Sequence, residues 1–359
     1  MDNMLYICDL RNLSWTCRLL YNVTRKYHFG VVSPVWKPAE ISNIDIPISY
    51  YRHGVWSKDN DTFYLPIFHK HNPICCVLDL TNKPIKWIYK PLTIESSSKH
   101  QYEPVKYFAA AAIKNFIYIF GGENIDKDTI TNIFYELNTY TFVLRVLNAS
   151  NEKNIPNPRM MHTLDVIDNH RLAMFGGRSL IINENKKFVF DSKDFAMYDI
   201  KTETWTSYVQ EFNIPYRRSL PSSHLTNGKL YIYGGQEYKC LSNSSQIHDD
   251  EDISIFDFRK EKWYKLLNPS IEKKISKVLL PTDWILTTST DQNLSLGKRM
   301  YAAMFTMNNR IAIFGGSQIE VLTIFWKGWN FHEGLFLIGK DKREGKLIMG
   351  WVEDDAQII

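Results

Sequence analysis

Asn115-Phe116-Ile117-Tyr118-Ile119-Phe120-Gly121-Gly122 is a short apolar run that ends in two glycines. The same shape recurs at His170-Arg-Leu-Ala-Met-Phe-Gly-Gly177, Gly228-Lys-Leu-Tyr-Ile-Tyr-Gly-Gly235 and Asn309-Arg-Ile-Ala-Ile-Phe-Gly-Gly316. Each run follows another apolar run across a tight turn: Lys114-Asn115, Asp168-Asn169-His170, Asn227-Gly228 and Asn308-Asn309. Asn and Gly accept the positive φ that short hairpin turns require, so each unit reads as a β-hairpin. The paired glycines remove side chains where a strand must bend or another backbone comes close.

A second pattern interleaves with the first. Apolar-acidic-apolar clusters recur as Ile7-Cys8-Asp9-Leu10, Leu78-Asp79-Leu80, Tyr135-Glu136-Leu137, Tyr198-Asp199-Ile200 and Phe256-Asp257-Phe258. Six residues after the acid comes an aromatic, at Trp15, Phe142, Trp205 and Trp263, while Asp79 is followed by Trp87 after eight. This is a second hairpin with its aromatic on the fourth strand. Four strands per unit make a propeller blade, and one such sheet cannot bury both faces alone, so blades stack around an axis. The recurrent aromatic is read as packing between adjacent blades.

Composition agrees with an all-β globule. Of 359 residues, 44% are hydrophobic and 23% charged, which excludes disorder, and 14% are aromatic, which favours strands. A net charge of +4 supplies no strong field for nucleic acid. No apolar run reaches the roughly 18 residues that a membrane helix needs. Met1-Asp2-Asn3-Met4 does not open a signal peptide. Cys8, Cys17, Cys75, Cys76 and Cys240 form an odd set with one adjacent pair, a poor disulfide framework that fits a reducing compartment. The expected location is the cytoplasm.

The glycine pairs, the acidic position and the aromatic beyond it resemble the kelch-repeat family of β-propellers. The resemblance implies a ring whose closing blade is built from both chain ends, and the chain does open with an outer pair, Leu5 to Leu20, that no inner pair precedes. Five blades follow if the hairpin at 298–316 joins that N-terminal pair, leaving 319–359 as an appendage. Six follow if Val321–Trp326 and Phe331 form a further outer pair while Leu335–Ile338 and Lys346–Trp351 supply inner strands for the N-terminal pair. Six uses every strand-like segment and is the preferred reading. Residues 1–359 are then one propeller, with inserted loops at 178–194, 236–252 and 267–297, and a short helix over Lys273–Leu280 before Pro281. The first two insertions follow a glycine pair, which sets them on one rim.

No zinc spacing, phosphate loop or nucleophile elbow is present. His69, His71, Cys75 and Cys76 are near one another in sequence, and a metal site there is the less favoured reading beside exposed histidines and core cysteines. The resemblance also covers enzymes, namely copper-radical galactose oxidases, plant specifier proteins and a sialic-acid epimerase, but the oxidases' copper set of Tyr and His with a Cys cross-linked to Tyr cannot be assembled at recognisable positions here. No cofactor is expected.

What remains is surface. Arg218 lies sixteen residues before Gly234 and Arg299 sixteen before Gly315, while Arg159 lies seventeen before Gly176, across a longer turn. Pro158-Arg159 matches the kelch consensus, where such an Arg ties neighbouring blades by hydrogen bonds. Two positions on lie Tyr107, Tyr301, Leu220 and, in the shifted register, Met161 or His162, with His53 nearby in the first unit. In several kelch adaptors this mouth holds a partner peptide. Arg159, His162, Arg218, Arg299, Tyr107, Tyr301 and His53 are thus the candidate partner-binding residues, with Arg forks suited to carboxylates and Tyr to rigid contact. The expected function is a non-catalytic protein-interaction scaffold or adaptor, in a signalling, polarity or ubiquitin-ligase assembly, and the alternative is a propeller enzyme acting at the channel.

Overall fold

The computed structural model describes residues 54–57, 59, 62–79, 86–96, 102–148, 150, 154–183, 186–208, 214–239, 244–247 and 253–266, and beyond them strands at 303–307, 310–314, 317–318, 330–331, 335–340 and 347–352. The paired hairpins fold into successive four-stranded antiparallel units. The first is β1 (Val55–Ser57), β2 (Thr62–Ile67), β3 (Ile74–Asp79) and β4 (Trp87–Pro91), in that order. After β5 (Thr93–Ile94) and β6 (Val105–Lys106) comes the second, β7 (Ala109–Ile113), β8 (Phe116–Asn124), β9 (Thr129–Asn138) and β10 (Val143–Val146). The third unit opens with β11 (Arg159–Met160), β12 (Thr163–Val166) and β13 (Arg171–Phe175). It continues through a hairpin, β14 (Arg178–Asn183) and β15 (Lys186–Asp191), to β16 (Phe195–Asp199) and β17 (Thr204–Tyr208). The fourth repeats the plan with β18 (Ser222–Thr226), β19 (Lys229–Tyr233), a hairpin of β20 (Gln236–Lys239) and β21 (Ser244–Ile247), then β22 (Ile253–Asp257) and β23 (Lys262–Leu266). Among the described residues there is no α-helix.

First strands of successive units lie side by side: β1 beside β7, β7 beside β12, β12 beside β18. That is the inner ring of a propeller, and the apolar layers lie between sheets. Val55, Tyr64 and Cys75 of the first sheet pack with Ile117, Ile119 and Leu137 of the second. Ala109, Ala111 and Phe120 of the second pack with Leu172, Met174 and Trp205 of the third. Ala173, Phe175 and Phe195 of the third pack with Leu230, Phe256 and Trp263 of the fourth. The fourth-strand tryptophans therefore join neighbours: Trp205 lies edge-on to Phe120 at 5.0 Å between ring centres, and Trp263 meets Phe175 at 5.6 Å. A strand's period of two also separates the adjacent cysteines, since Cys75 faces the second sheet and Cys76 the opposite layer with Phe63 and Trp87. Both are buried while His69 and His71 are exposed, so the four residues do not converge on a metal.

The acidic position of the outer hairpin is a turn cap. Asp199 Oδ1 accepts the amides of Lys201 and Thr202, and Asp257 Oδ1 those of Arg259 and Lys260. In the second sheet Asn138 makes these bonds, to Tyr140 and Thr141, so Asn138 and not Glu136 holds the equivalent place. Glu136 instead pairs with Arg145 across the strands at 2.7 Å. Leu144, not Phe142, takes the buried aromatic's position, and Phe142 occupies a positive-φ turn residue equivalent to Glu203 and Glu261.

The last unit differs from both sequence alternatives. β24 (Ala303–Met307) and β25 (Arg310–Phe314) are followed by a two-stranded pair, β26 (Ser317–Gln318) with β27 (Asn330–Phe331). β28 (Leu335–Lys340) then pairs with β25, and β29 (Leu347–Val352) with β28. Residues 335–352 therefore complete the sheet begun at 303, and β24 lies beside β18 in the inner ring. Trp351 stands in register with Phe336, as Trp205 does with Tyr198 and Trp263 with Phe256. The expected closure through Leu5–Leu20, His53 and the 267–297 insertion with its short helix lie outside the described residues.

Candidate functional site

Three of the inner strands are entered through a left-handed residue. Tyr107, Met161 and Leu220 stand two residues before β7, β12 and β18, with φ of 57°, 59° and 58°. A non-glycine residue there is disfavoured by roughly 1–2 kcal/mol. The main chain offsets this in part: Met161 N donates to Tyr107 O at 2.9 Å, and Leu220 N to Met161 O at 2.9 Å. The bonds run from sheet to sheet around one end of the channel. Tyr107 and Met161 are half-buried and Leu220 is buried. Lys106 Nζ lies 5.6 Å from the centre of the Tyr107 ring and 3.1 Å from Glu123, so the cation beside the mouth is already paired.

Beneath this ring the arginines act as clamps. Arg159 is 1% exposed; its Nε donates to Asn157 O, Nη1 to Gly176 O at 3.0 Å, and Nη2 to Asp194 Oδ2 at 3.0 Å. Arg218, also 1% exposed, repeats the first two contacts with Tyr216 O and Gly234 O. Burial pulls the Arg159 guanidinium below its ordinary range, and Asp194 opposes that shift. These side chains tie strands of their own sheet. The link to the neighbour is made by main chain, for Gly177 N donates to Arg218 O at 2.8 Å. This approach explains the glycines. At Gly176, φ is +69° and a Cβ would stand 2.7 Å from Arg218 O; at Gly121 it would run into Arg159 O in the same way.

Several expected contact residues are therefore not on the surface. Arg159 and Arg218 are held by carbonyls and cannot fork onto a partner's carboxylate. His162 is 0% exposed, edge-on to Phe120 at 5.6 Å, with its Cβ against Gly177. The longer Asp168–His170 turn shifts the register by one, and Met161, not His162, is the counterpart of Tyr107 and Leu220. Arg299, Tyr301 and His53 lie outside the described residues.

Around the same end, the segments ahead of the mouth residues pair with the hairpins that follow the glycines. β6 pairs with Glu123 and Asn124 of β8, β11 with β14, and Ser219 bridges to Gln236. Two of the expected inserted loops are thus ordered hairpins, β14–β15 and β20–β21, and β15 lies beside β20 as a collar. Arg178 stiffens its base, bonding Asp191 at 2.9 Å and reaching Ser219 Oγ of the next sheet at 3.2 Å. Ile125 and Phe188 stand exposed on this collar.

One titratable group escaped the sequence reading. Asp165 lies on inner strand β12, burial raises its carboxyl to about 6, and the Ser223 and Thr163 hydroxyls act the other way. Its only sequence signal is an acid at an inner-strand position. Among the described residues no group of three or more metal-ligating side chains converges.

An all-β propeller with glycine-arginine joints is a kelch-type architecture, and comparison with known proteins agrees. Residues 107–279 match the family model described as the KLHDC2/KLHL20/DRC7 Kelch-repeats domain. The chain is 26% identical over 220 residues to beta-scruin of Limulus polyphemus, covering 61% of this chain and 20% of that protein. It is 23% identical over 270 residues to Kelch domain-containing protein 3 of Homo sapiens, covering 73% and 61%. It is 28% identical over 163 residues to an N-(sulfonatooxy)prop-2-enimidothioate sulfolyase of Thlaspi arvense, covering 44% and 43%. The chain thus spans between a fifth and about three fifths of these relatives' own lengths. Over residues 107–279 the chain is thus similar to kelch-repeat domains, in keeping with the all-β propeller described above.

Proposed function

We propose that this propeller is a non-catalytic protein-interaction scaffold whose partner is received at the end of the channel ringed by Tyr107, Met161 and Leu220. The observation that carries this reading is the run of three left-handed residues joined by two backbone bonds from sheet to sheet, with two half-buried side chains held above the clamps. A rigid aromatic and a deformable thioether suit burial of a partner's apolar side chain better than capture of an acidic one. The buried arginines support the same choice. By sequence spacing alone, Arg299, Tyr301 and His53 remain candidates for the same end of the channel. The collar residues Ile125 and Phe188 frame the approach. We place the protein in the cytoplasm and read it as a single propeller serving a larger assembly.

The test compares partners captured by the wild type with those captured by Tyr107→Ala/Met161→Ala and by Ile125→Asp/Phe188→Asp, after circular dichroism confirms each fold. Loss confined to the first variant supports the mouth, and loss confined to the second moves recognition to the collar. Unchanged capture by both overturns the reading. Catalysis at the channel is a second reading, favoured by Asp165, whose raised carboxyl has the character of a general acid or base. A turnover abolished by Asp165→Asn in an otherwise stable protein would carry it.

A further inference from the structure

We infer that the turn joining β18 to β19 is a site of spontaneous covalent modification, in which Asn227 closes on the Gly228 amide and ages the fourth sheet. Asn227-Gly228 is the one Asn-Gly pair among the 359 residues. It forms a two-residue turn closed by Thr226 opposite Lys229, with φ of 52° and 70°. Asn227 is exposed, and beyond the adjoining residues no atom lies within 4 Å of the place a Gly228 Cβ would take. The Gly228 N–H makes no hydrogen bond among the described residues, although its carbonyl accepts Phe258 N at 3.1 Å. The turn is thus open at Gly228 and the nitrogen unengaged, in the residue that directly follows the side-chain amide it would attack. The neighbouring turns differ. Asn115 is followed by the bulky Phe116, and at the third sheet Asp168 Oδ1 engages the His170 amide that follows Asn169.

The chemistry needs only water. The deprotonated Gly228 amide nitrogen forms a bond to Asn227 Cγ, and the side-chain nitrogen leaves with that proton as ammonia. The resulting five-membered imide has two carbonyls on one nitrogen. Water adds to one of them, breaking one C–N bond and leaving either aspartate or the isoaspartyl linkage. Both place a new carboxylate beside Lys229, whose ammonium stands 3.7 Å from Asp257. The isoaspartyl product also inserts a backbone methylene into a turn with room for two residues, which misaligns Thr226 with Lys229 and strains inner strand β18.

The full chain is incubated under native conditions in mildly alkaline and in mildly acidic buffer, and digested at intervals for peptide mass mapping. An isoaspartyl-specific methylation assay runs on the same samples. The expected result is loss of the amide at residue 227 ahead of every other asparagine, faster in alkali, with isoaspartate accumulating and the unfolding midpoint of the aged protein falling. Asn227→Gln, which would require a six-membered ring, keeps its midpoint on the same schedule. An intact amide at 227 while other asparagines convert overturns the inference, as does conversion only after denaturant has unfolded the sheet. If Asn227→Gln fails to fold, mapping of the wild type still decides.

Discussion

The amide of Leu220 donates to the carbonyl of Met161 at 2.9 Å, across the boundary between two sheets and between two residues that both hold left-handed backbone. The bond makes the mouth part of the blade-to-blade joint, so its side chains can be changed separately from its backbone. Met161→Gly should leave stability unchanged or raise it by up to about 1 kcal/mol, since glycine adopts this φ without strain. Met161→Pro fixes φ near −65° and removes the donor to Tyr107, and should destabilise by about 3 kcal/mol or more. Thermal unfolding of the two variants measures the contrast, and partner capture by the folded glycine variant reports the side chain alone.

The glycines are not equivalent in their tolerance. Gly176→Ala sets a methyl against Arg218 O and should cost roughly 2–4 kcal/mol, combining left-handed strain with a displaced backbone. Gly228→Ala has the same sign of φ in open space and should cost only about 1 kcal/mol. Denaturant midpoints for the pair separate the clash from the backbone preference.

Arg159→Lys keeps the charge but cannot reach Asn157, Gly176 and Asp194 together. A buried ammonium with fewer partners should destabilise by roughly 2–4 kcal/mol. Equal stability in equilibrium unfolding would show that the fork is dispensable.

Asp165 predicts a pH dependence of defined sign. Its folded carboxyl titrates near 6, above its ordinary 3.8, so the native state takes up a proton more readily than the unfolded chain. Its contribution therefore destabilises above the folded value and is relieved as pH falls through 6 toward 4, by on the order of 2–3 kcal/mol. Asp165→Asn should raise stability at neutral pH and flatten this segment of the profile. An unchanged profile would show the group to be solvated.

Removing residues 335–359 takes away β28 and β29, leaving β25 paired with β24 alone. The expected outcome is loss of the last sheet, seen as a lowered strand signal and a new early unfolding phase. A mild effect would mean that another segment covers that edge.

Much of this was legible in the sequence because a repeat states the same physical requirement several times. The glycine pairs, the hairpin turns and the Trp205 and Trp263 packing each follow from residue type and spacing. The last sheet was misassigned because Leu335–Lys340 carries no apolar-acidic-apolar cluster and six residues, not four, separate Lys340 from its partner Leu347, which hid the correspondence of Trp351 with Trp205. Asn138 was missed since an amide caps the turn as well as a carboxylate. The arginines were read as available forks because spacing cannot show which way a guanidinium points; the carbonyls of Gly176 and Gly234 decide that only in three dimensions.

Linkers also settle on the sheet that follows them. Thr93 N donates to Phe142 O at 3.0 Å, and β5 adds in parallel to β10, the outermost strand of the second sheet. Ser150 repeats the move on the third, its amide reaching Glu203 O at 2.8 Å, the residue equivalent to Phe142. In each case the covering segment precedes in sequence the strand it covers. During synthesis, then, β10 leaves the ribosome with its cover already made, and its open hydrogen-bonding edge need never wait exposed to another nascent chain.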